Sequence, residues 1–79
     1  MRDRVYKIIK KLSDVHACKD NMKLVEDIGL DSLLLVTMLI EIEDEFEIEL
    51  NESDMNPYEL ETIGDVIAMV GRYAGDGNG

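Results

Sequence analysis

At 79 residues, 46% of them hydrophobic, the chain can fill one small core and has no length left for a separate catalytic domain. Its formal net charge is -10, with seven Lys/Arg against three Asp in residues 1–25 and fifteen Asp/Glu against Arg72 alone in residues 26–79; such a surface repels nucleic acid and anionic membranes and attracts basic partners. No apolar run approaches the roughly 18 residues of a spanning helix, the start Met1-Arg2-Asp3-Arg4 leads into no secretory h-region, and Cys18 stands alone, so a soluble cytoplasmic protein without a disulfide or a CxxC site is expected.

Val5, Ile8, Ile9, Leu12 and Val15 recur at helical spacing, which predicts a first amphipathic helix over residues 3–16 with Lys10 and Lys11 on its wet side. Residues 17–31 hold no sustained period and contain Asp20-Asn21 and Gly29, so they read as a long loop whose Leu24, Val25, Ile28 and Leu30 tuck onto the core. A second helix is expected from Ser32 to about Phe46. Residues 51–54 read as a polar break, and Pro57 suits the first turn of a short helix over residues 57–61. Thr62-Ile63-Gly64-Asp65 has the T-x-x-D pattern that opens a last helix, with Ile63, Val66, Ile67 and Val70 on its apolar face. The final GDGNG, residues 75–79, reads as a flexible tail, leaving one domain over residues 1–74. No long segment alternates as a strand does, residues 47–50 coming nearest. The expected fold is all-α, a small bundle of three main helices and one short one.

On a wheel of about 100° per residue, Leu35, Met38, Leu39, Ile42 and Phe46 of the second helix share one arc, the core face. Leu33, Val36 and Ile40 fall on roughly the opposite side, together with Thr37 and Asp44. A helix apolar on two faces is either buried all round or exposes a stripe, and three long helices are too few to cover this one, so an exposed docking stripe is expected. Ser32 lies beside the stripe in the first turn, with Asp31 as N-cap. Free N–H groups and the positive end of the helix dipole stabilise an anion there, so the position suits a phosphate ester; a serine after an N-cap aspartate is also the ordinary way to start a helix.

Nucleophilic hydrolysis finds no support. Gly29-Leu30-Asp31-Ser32-Leu33 is not G-x-S-x-G, His16 is the sole histidine, and no S-x-x-K pair exists, so no catalytic residue is assigned. The acids Glu41, Glu43, Asp44, Glu45, Glu47, Glu49, Glu52 and Asp54 do not follow the calcium-loop spacing, and no metal site is assigned.

The order GLDSLLLV, LIEIEDEFEIEL, TIGDVIAMV, spread over about residues 3–74, resembles an acyl carrier protein. In that family the serine of D-S-L receives a 4′-phosphopantetheine arm whose thiol carries acyl groups as thioesters, and Ser32 is the matching position. The resemblance implies a monomeric carrier that catalyses nothing itself, with Asp31 beside the attachment point. It also implies that Leu33, Val36, Thr37, Ile40, Glu43 and Asp44 meet a phosphopantetheinyl transferase and acyl-loading, condensing and acyl-transfer enzymes in fast, weak contacts, without nucleic acid or stable membrane association. Two departures stand out. Leu34 and Thr37 replace acids common in fatty-acid carriers, and residues 51–61, with Pro57 and Tyr58, look slightly longer than usual. Both point towards a specialised pathway, such as a polyketide, modified fatty acid or other secondary product. An aminoacyl carrier of the D-alanyl type stays open, a peptidyl carrier less so because its serine follows a glycine-rich run. From another class, an unmodified helical interaction module would tolerate Ser32→Ala.

Overall fold

Three α-helices, α1 (Arg2–Leu12), α2 (Ser32–Phe46) and α3 (Ile63–Tyr73), pack around one core in the computed structural model, which describes residues 2–73. Two single-turn 3-10 helices, Glu52–Met55 and Pro57–Glu59, lie between α2 and α3. The all-α bundle expected from the sequence is therefore present, with its short element 3-10 rather than α. The residues read as a polar break at 51–54 mostly join the first of these turns, and the short helix expected over 57–61 stops at Glu59. Residues 74–79, including the expected tail, lie outside the described residues.

The first turn of α1 contains Asp3 and the last turn Lys10 and Lys11, charges at the ends of the dipole that favour them, although Arg2 and Arg4 flank Asp3. It stops at Leu12, four residues short of the expected end. The Ser13 hydroxyl donates to the Ile9 carbonyl at 2.9 Å and accepts the Val15 N–H at 3.4 Å, so a side chain intercepts groups that would have continued the helix. Val15 still packs half-buried against the core, from outside the helix.

The connection between α1 and α2 is ordered by its own backbone. Lys23 O accepts the N–H groups of Asp27 and Ile28, Lys23 N–H donates to Asp27 Oδ2 at 2.8 Å, and Gly29 takes φ 90°, a left-handed value that a residue without Cβ adopts cheaply. Leu24 and Leu30 are thereby fully buried. Val25, expected to tuck inward with them, is 57% exposed, because the same turn that aims Leu24 at the core aims its neighbour at solvent. Leu24 N–H to Glu61 O (2.9 Å) and Ile63 N–H to Met22 O (3.0 Å) form an isolated antiparallel bridge that joins this connection to the start of α3.

The core comprises Val5, Ile8 and Ile9 of α1, Leu24 and Leu30, Leu35, Met38, Leu39 and Ile42 of α2, Leu50, and Ile63, Val66, Met69 and Val70 of α3. Met69 shares the face of Val66 and Val70 by its i+3 spacing and belongs with the apolar residues expected there, whereas Ile67 is only half-buried. Phe46 is also half-buried, its ring lying 4.7 Å from the Arg4 guanidinium. Helix α3 opens with a reciprocal capping box: the Thr62 hydroxyl accepts the Asp65 N–H (3.2 Å), and Asp65 Oδ2 accepts the N–H groups of Thr62 (3.0 Å) and Glu61 (2.9 Å). These backbone donors hold the Asp65 carboxyl below the usual carboxylate range.

Candidate functional site

Buried Leu30, whose N–H bonds Leu24 O at 3.0 Å, fixes the chain just before it emerges at Asp31. Asp31 is extended (φ -96°, ψ -178°) and caps α2, its Oδ1 accepting the Leu34 N–H at 2.8 Å while its carbonyl accepts from Leu35. Ser32 is the first residue of α2 and is exposed. The N–H groups of Ser32 and Leu33 have no hydrogen-bond acceptor among the described residues, and the first turn carries no acidic side chain. The positive end of the helix is thus left to whatever anion reaches it, opposed locally by the Asp31 carboxylate, which spends one oxygen on Leu34.

Along α2 the two faces separate as the wheel requires: Leu35, Met38, Leu39 and Ile42 are buried, while Leu33 (72% exposed), Val36 (37%) and Ile40 (50%) form an apolar stripe in solvent. Thr37 turns its hydroxyl back onto the Leu33 carbonyl at 2.9 Å. Glu43 and Asp44, adjacent in sequence, have different surroundings. Glu43 is half-buried, and its Oε2 accepts the Leu50 N–H at 2.8 Å, securing the chain after the left-handed Glu47 (φ 54°) that ends the helix. Asp44 is exposed and has no ion-pair partner among the described residues. Two other acids of this helix are held by α1: Glu41 by Lys11 Nζ at 2.6 Å, and Glu45 by Arg4 Nε at 2.7 Å, the hydrogen bond that lowers the Glu45 carboxyl below its ordinary range. Much of the acidity written along α2 is therefore answered inside the fold.

Sequence reasoning missed a cleft of about 260 Å³ beside the first turns of α2. Lys23, Val25 and Glu26 line one side, Tyr58, Leu60 and Glu61 the other, with buried Leu35 between them. The unusual Pro57-Tyr58 pair was the available signal, since Tyr58 is 79% exposed on its rim.

The bundle thus presents one exposed serine at the start of α2 with an apolar stripe beside it. Residues 3–70 match the family described as "Phosphopantetheine attachment site". The chain is 39% identical over 64 residues to an acyl carrier protein of Campylobacter jejuni (strain RM1221), covering 80% of each chain. It is 32% identical over 63 residues to one of Chlamydia felis (80% of this chain, 78% of the other) and 30% identical over 56 residues to one of Thermotoga maritima (71% and 67%). The chain belongs to the acyl carrier protein family, whose prosthetic group is covalently attached 4′-phosphopantetheine.

Proposed function

We propose that Ser32 bears the 4′-phosphopantetheine and that this chain is a stand-alone acyl carrier, itself without catalytic activity, serving a polyketide, modified fatty acid or other specialised product. One observation carries the assignment: an exposed hydroxyl on the first residue of α2, flanked by two N–H groups without protein acceptors in a turn free of acidic side chains. These residues fit a phosphodiester, because the helix end favours its negative charge. When bound, the group supplies a thiol on which acyl chains are held as thioesters. The chain's own residues attach and present it: Ser32 provides the oxygen, the Ser32 and Leu33 N–H groups are the donors available to the phosphate, and Leu33, Val36 and Ile40 offer partners an apolar contact.

The specialised pathway is supported by the helix sequence. From Ser32 to Ile40 no residue is charged, so the docking half of α2 suits apolar recognition more than a basic groove. Asp44, uncommitted within the fold, adds steering charge. Small contacts of this kind release quickly, as a carrier moving between a transferase and acyl-loading, condensing and acyl-transfer enzymes requires. The reading includes a cytoplasmic monomer; no helix among the described residues is long and apolar enough to cross a membrane.

The test is incubation of the unmodified protein with coenzyme A, magnesium and a broad-specificity phosphopantetheinyl transferase, followed by intact mass and peptide fragmentation. The expected result is one added arm on Ser32, none on Ser32→Ala, and slower addition to Ile40→Asp at an unchanged melting temperature. An arm added to Ser32→Ala, or no addition to the parent chain, removes the assignment.

A further inference from the structure

We propose that Arg4 and Lys11 of α1 set the partner specificity of α2: they neutralise two of the acids that follow its apolar stripe, so that α2 favours partners with an uncharged apolar rim over partners that need a row of carboxylates. The inference rests on α2 being the face that partners meet, and not on Ser32 being modified. Helix α2 holds four acids, Glu41, Glu43, Asp44 and Glu45, all beyond Ile40, and no base. The cations come from α1, where positions 4 and 11 are two turns apart and so share one side of the helix. Arg4 is held at three points: its Nε donates to Glu45 Oε2 and its Nη2 to the Glu45 carbonyl, both at 2.7 Å, and its guanidinium lies 4.7 Å from the Phe46 ring. Lys11 Nζ donates to Glu41 Oε1 at 2.6 Å. Lys7 lines the same groove between the helices. Arg4 first, with Lys7 and Lys11 after it, holds the Glu45 carboxyl below its ordinary range.

Of the other two acids, Glu43 gives an oxygen to the Leu50 N–H, which leaves Asp44 without a partner among the described residues. Asp44 is twelve residues from Ser32, about 18 Å along the helix axis, roughly twice the distance over which salt screens a charge at physiological ionic strength. Asp31, beside Ser32, is engaged as the helix cap. A protein seated over Leu33, Val36 and Ile40 therefore meets apolar surface and little charge from α2. The two ion pairs add little stability, because their side chains lie in contact with water. Neutralisation asks less of them. A carboxylate with a cation beside it acts at a distance as a dipole, whose field falls off faster than that of a lone charge. Glu41 and Glu45 keep 33% and 40% of their side-chain exposure, so each is open to a partner once its cation is removed.

The experiment titrates two synthetic amphipathic helices with the same leucine face, one flanked by lysines and one by glutamines, into the unmodified full chain and follows its amides by NMR. These probes need no prosthetic group, so a failure here is separate from a failure of arm addition at Ser32. The variants are Lys11→Gln, the double change Arg4→Gln with Lys11→Gln, and Lys10→Gln as control, since Lys10 is exposed on α1 without an ion-pair partner among the described residues. At low ionic strength the preference for the lysine helix over the glutamine helix should rise roughly three- to tenfold in the double variant, with new shifts at Ile40 and Glu41, and the gain should vanish in high salt. Lys11→Gln, which leaves every Arg4 contact in place, should show part of the same gain and should exceed Lys10→Gln. An equal gain in Lys10→Gln would assign the effect to net charge and overturn the proposal. An unchanged preference in Lys11→Gln, or a gain that survives high salt, would do the same.

Discussion

The connection from α1 to α2 and the connection from α2 to α3 are tied back by the same three side-chain types. In the first, Arg2 and Tyr6 converge on Asp20; in the second, Arg72 and Tyr73 converge on Asp54. The clasps nevertheless do different work. Asp20 sits in a segment that also contributes fully buried Leu24 and Leu30 and whose Asp20 carbonyl accepts the Gly64 N–H at 2.8 Å, so its clasp reinforces a position already decided by the core. Asp54 sits in a segment with no buried side chain among the described residues of 51–60. A hydrogen bond contributes about 0.5–1.5 kcal/mol net, against about 1.5–3 kcal/mol for burying a leucine, so a polar clasp governs conformation only where the core does not.

The largest expected effect separates the two connections through their leucines. Leu24→Ala should cost about 2–5 kcal/mol, the range for emptying a fully buried site, which is much of a small domain's stability. Leu60→Ala, half-buried in the second connection, should cost about 1 kcal/mol or less. Urea denaturation of both variants reads the difference, and equal costs would erase the distinction.

Gly64→Ala should come next, at about 1 kcal/mol. A Cβ at Gly64 would stand 3.2 Å from the Asp20 carbonyl oxygen, and that carbonyl is held by the Arg2 and Tyr6 clasp and cannot retreat freely. In an Asp20→Ala background the same change should cost less, because the loop can then yield and the helix gains alanine's propensity. A double-mutant cycle showing no coupling would mean that the clasp does not stiffen this contact.

Acid should loosen the connections in sequence. The Arg2 hydrogen bond, then Tyr6, hold the Asp20 carboxyl below the usual range, and Tyr73, then Arg72, do the same for Asp54. A carboxyl whose pKa is lower in the folded than in the unfolded state adds stability that is fully present above the unfolded value, about 3.9, and is lost as pH falls through the folded one. Both clasps should therefore stand from neutrality to about pH 4 and fail below it. Amide shifts in an acid titration should then move first over residues 51–61, and only later over residues 20–30, which the core retains. Simultaneous movement would argue that the first connection depends on its clasp as much as the second.

The smallest expected effect is at Val25. Val25→Asp should alter stability by no more than about 0.5 kcal/mol, since the side chain is already in solvent and the connection is held by its neighbour Leu24. A thermal melt lowered as far as that of Leu24→Ala would show that both residues anchor the loop.

Much of the candidate site was legible in the sequence because it is local. Asp31 before Ser32 sets a cap, the spacing of Leu35, Met38, Leu39 and Ile42 sets one face, and that spacing leaves Leu33, Val36 and Ile40 on the other; each depends only on residues within a few turns of the same helix. Thr62 and Asp65 are three apart and cap α3 for the same reason. What the tertiary structure decided lies across the chain. Arg4 reaches Glu45 from 41 residues away, Lys11 reaches Glu41 from 30, and Tyr73 reaches Asp54 from 19, pairings that no periodicity encodes because they depend on how the helices lie against each other. The separation of Glu43 from Asp44 and the outward turn of Val25 are of the same kind: adjacent residues receive different environments from the segments that pack beside them. The cleft has walls from residues 23–26 and 58–61, brought together by a bridge between Lys23 and Thr62 that exists only once α3 has docked.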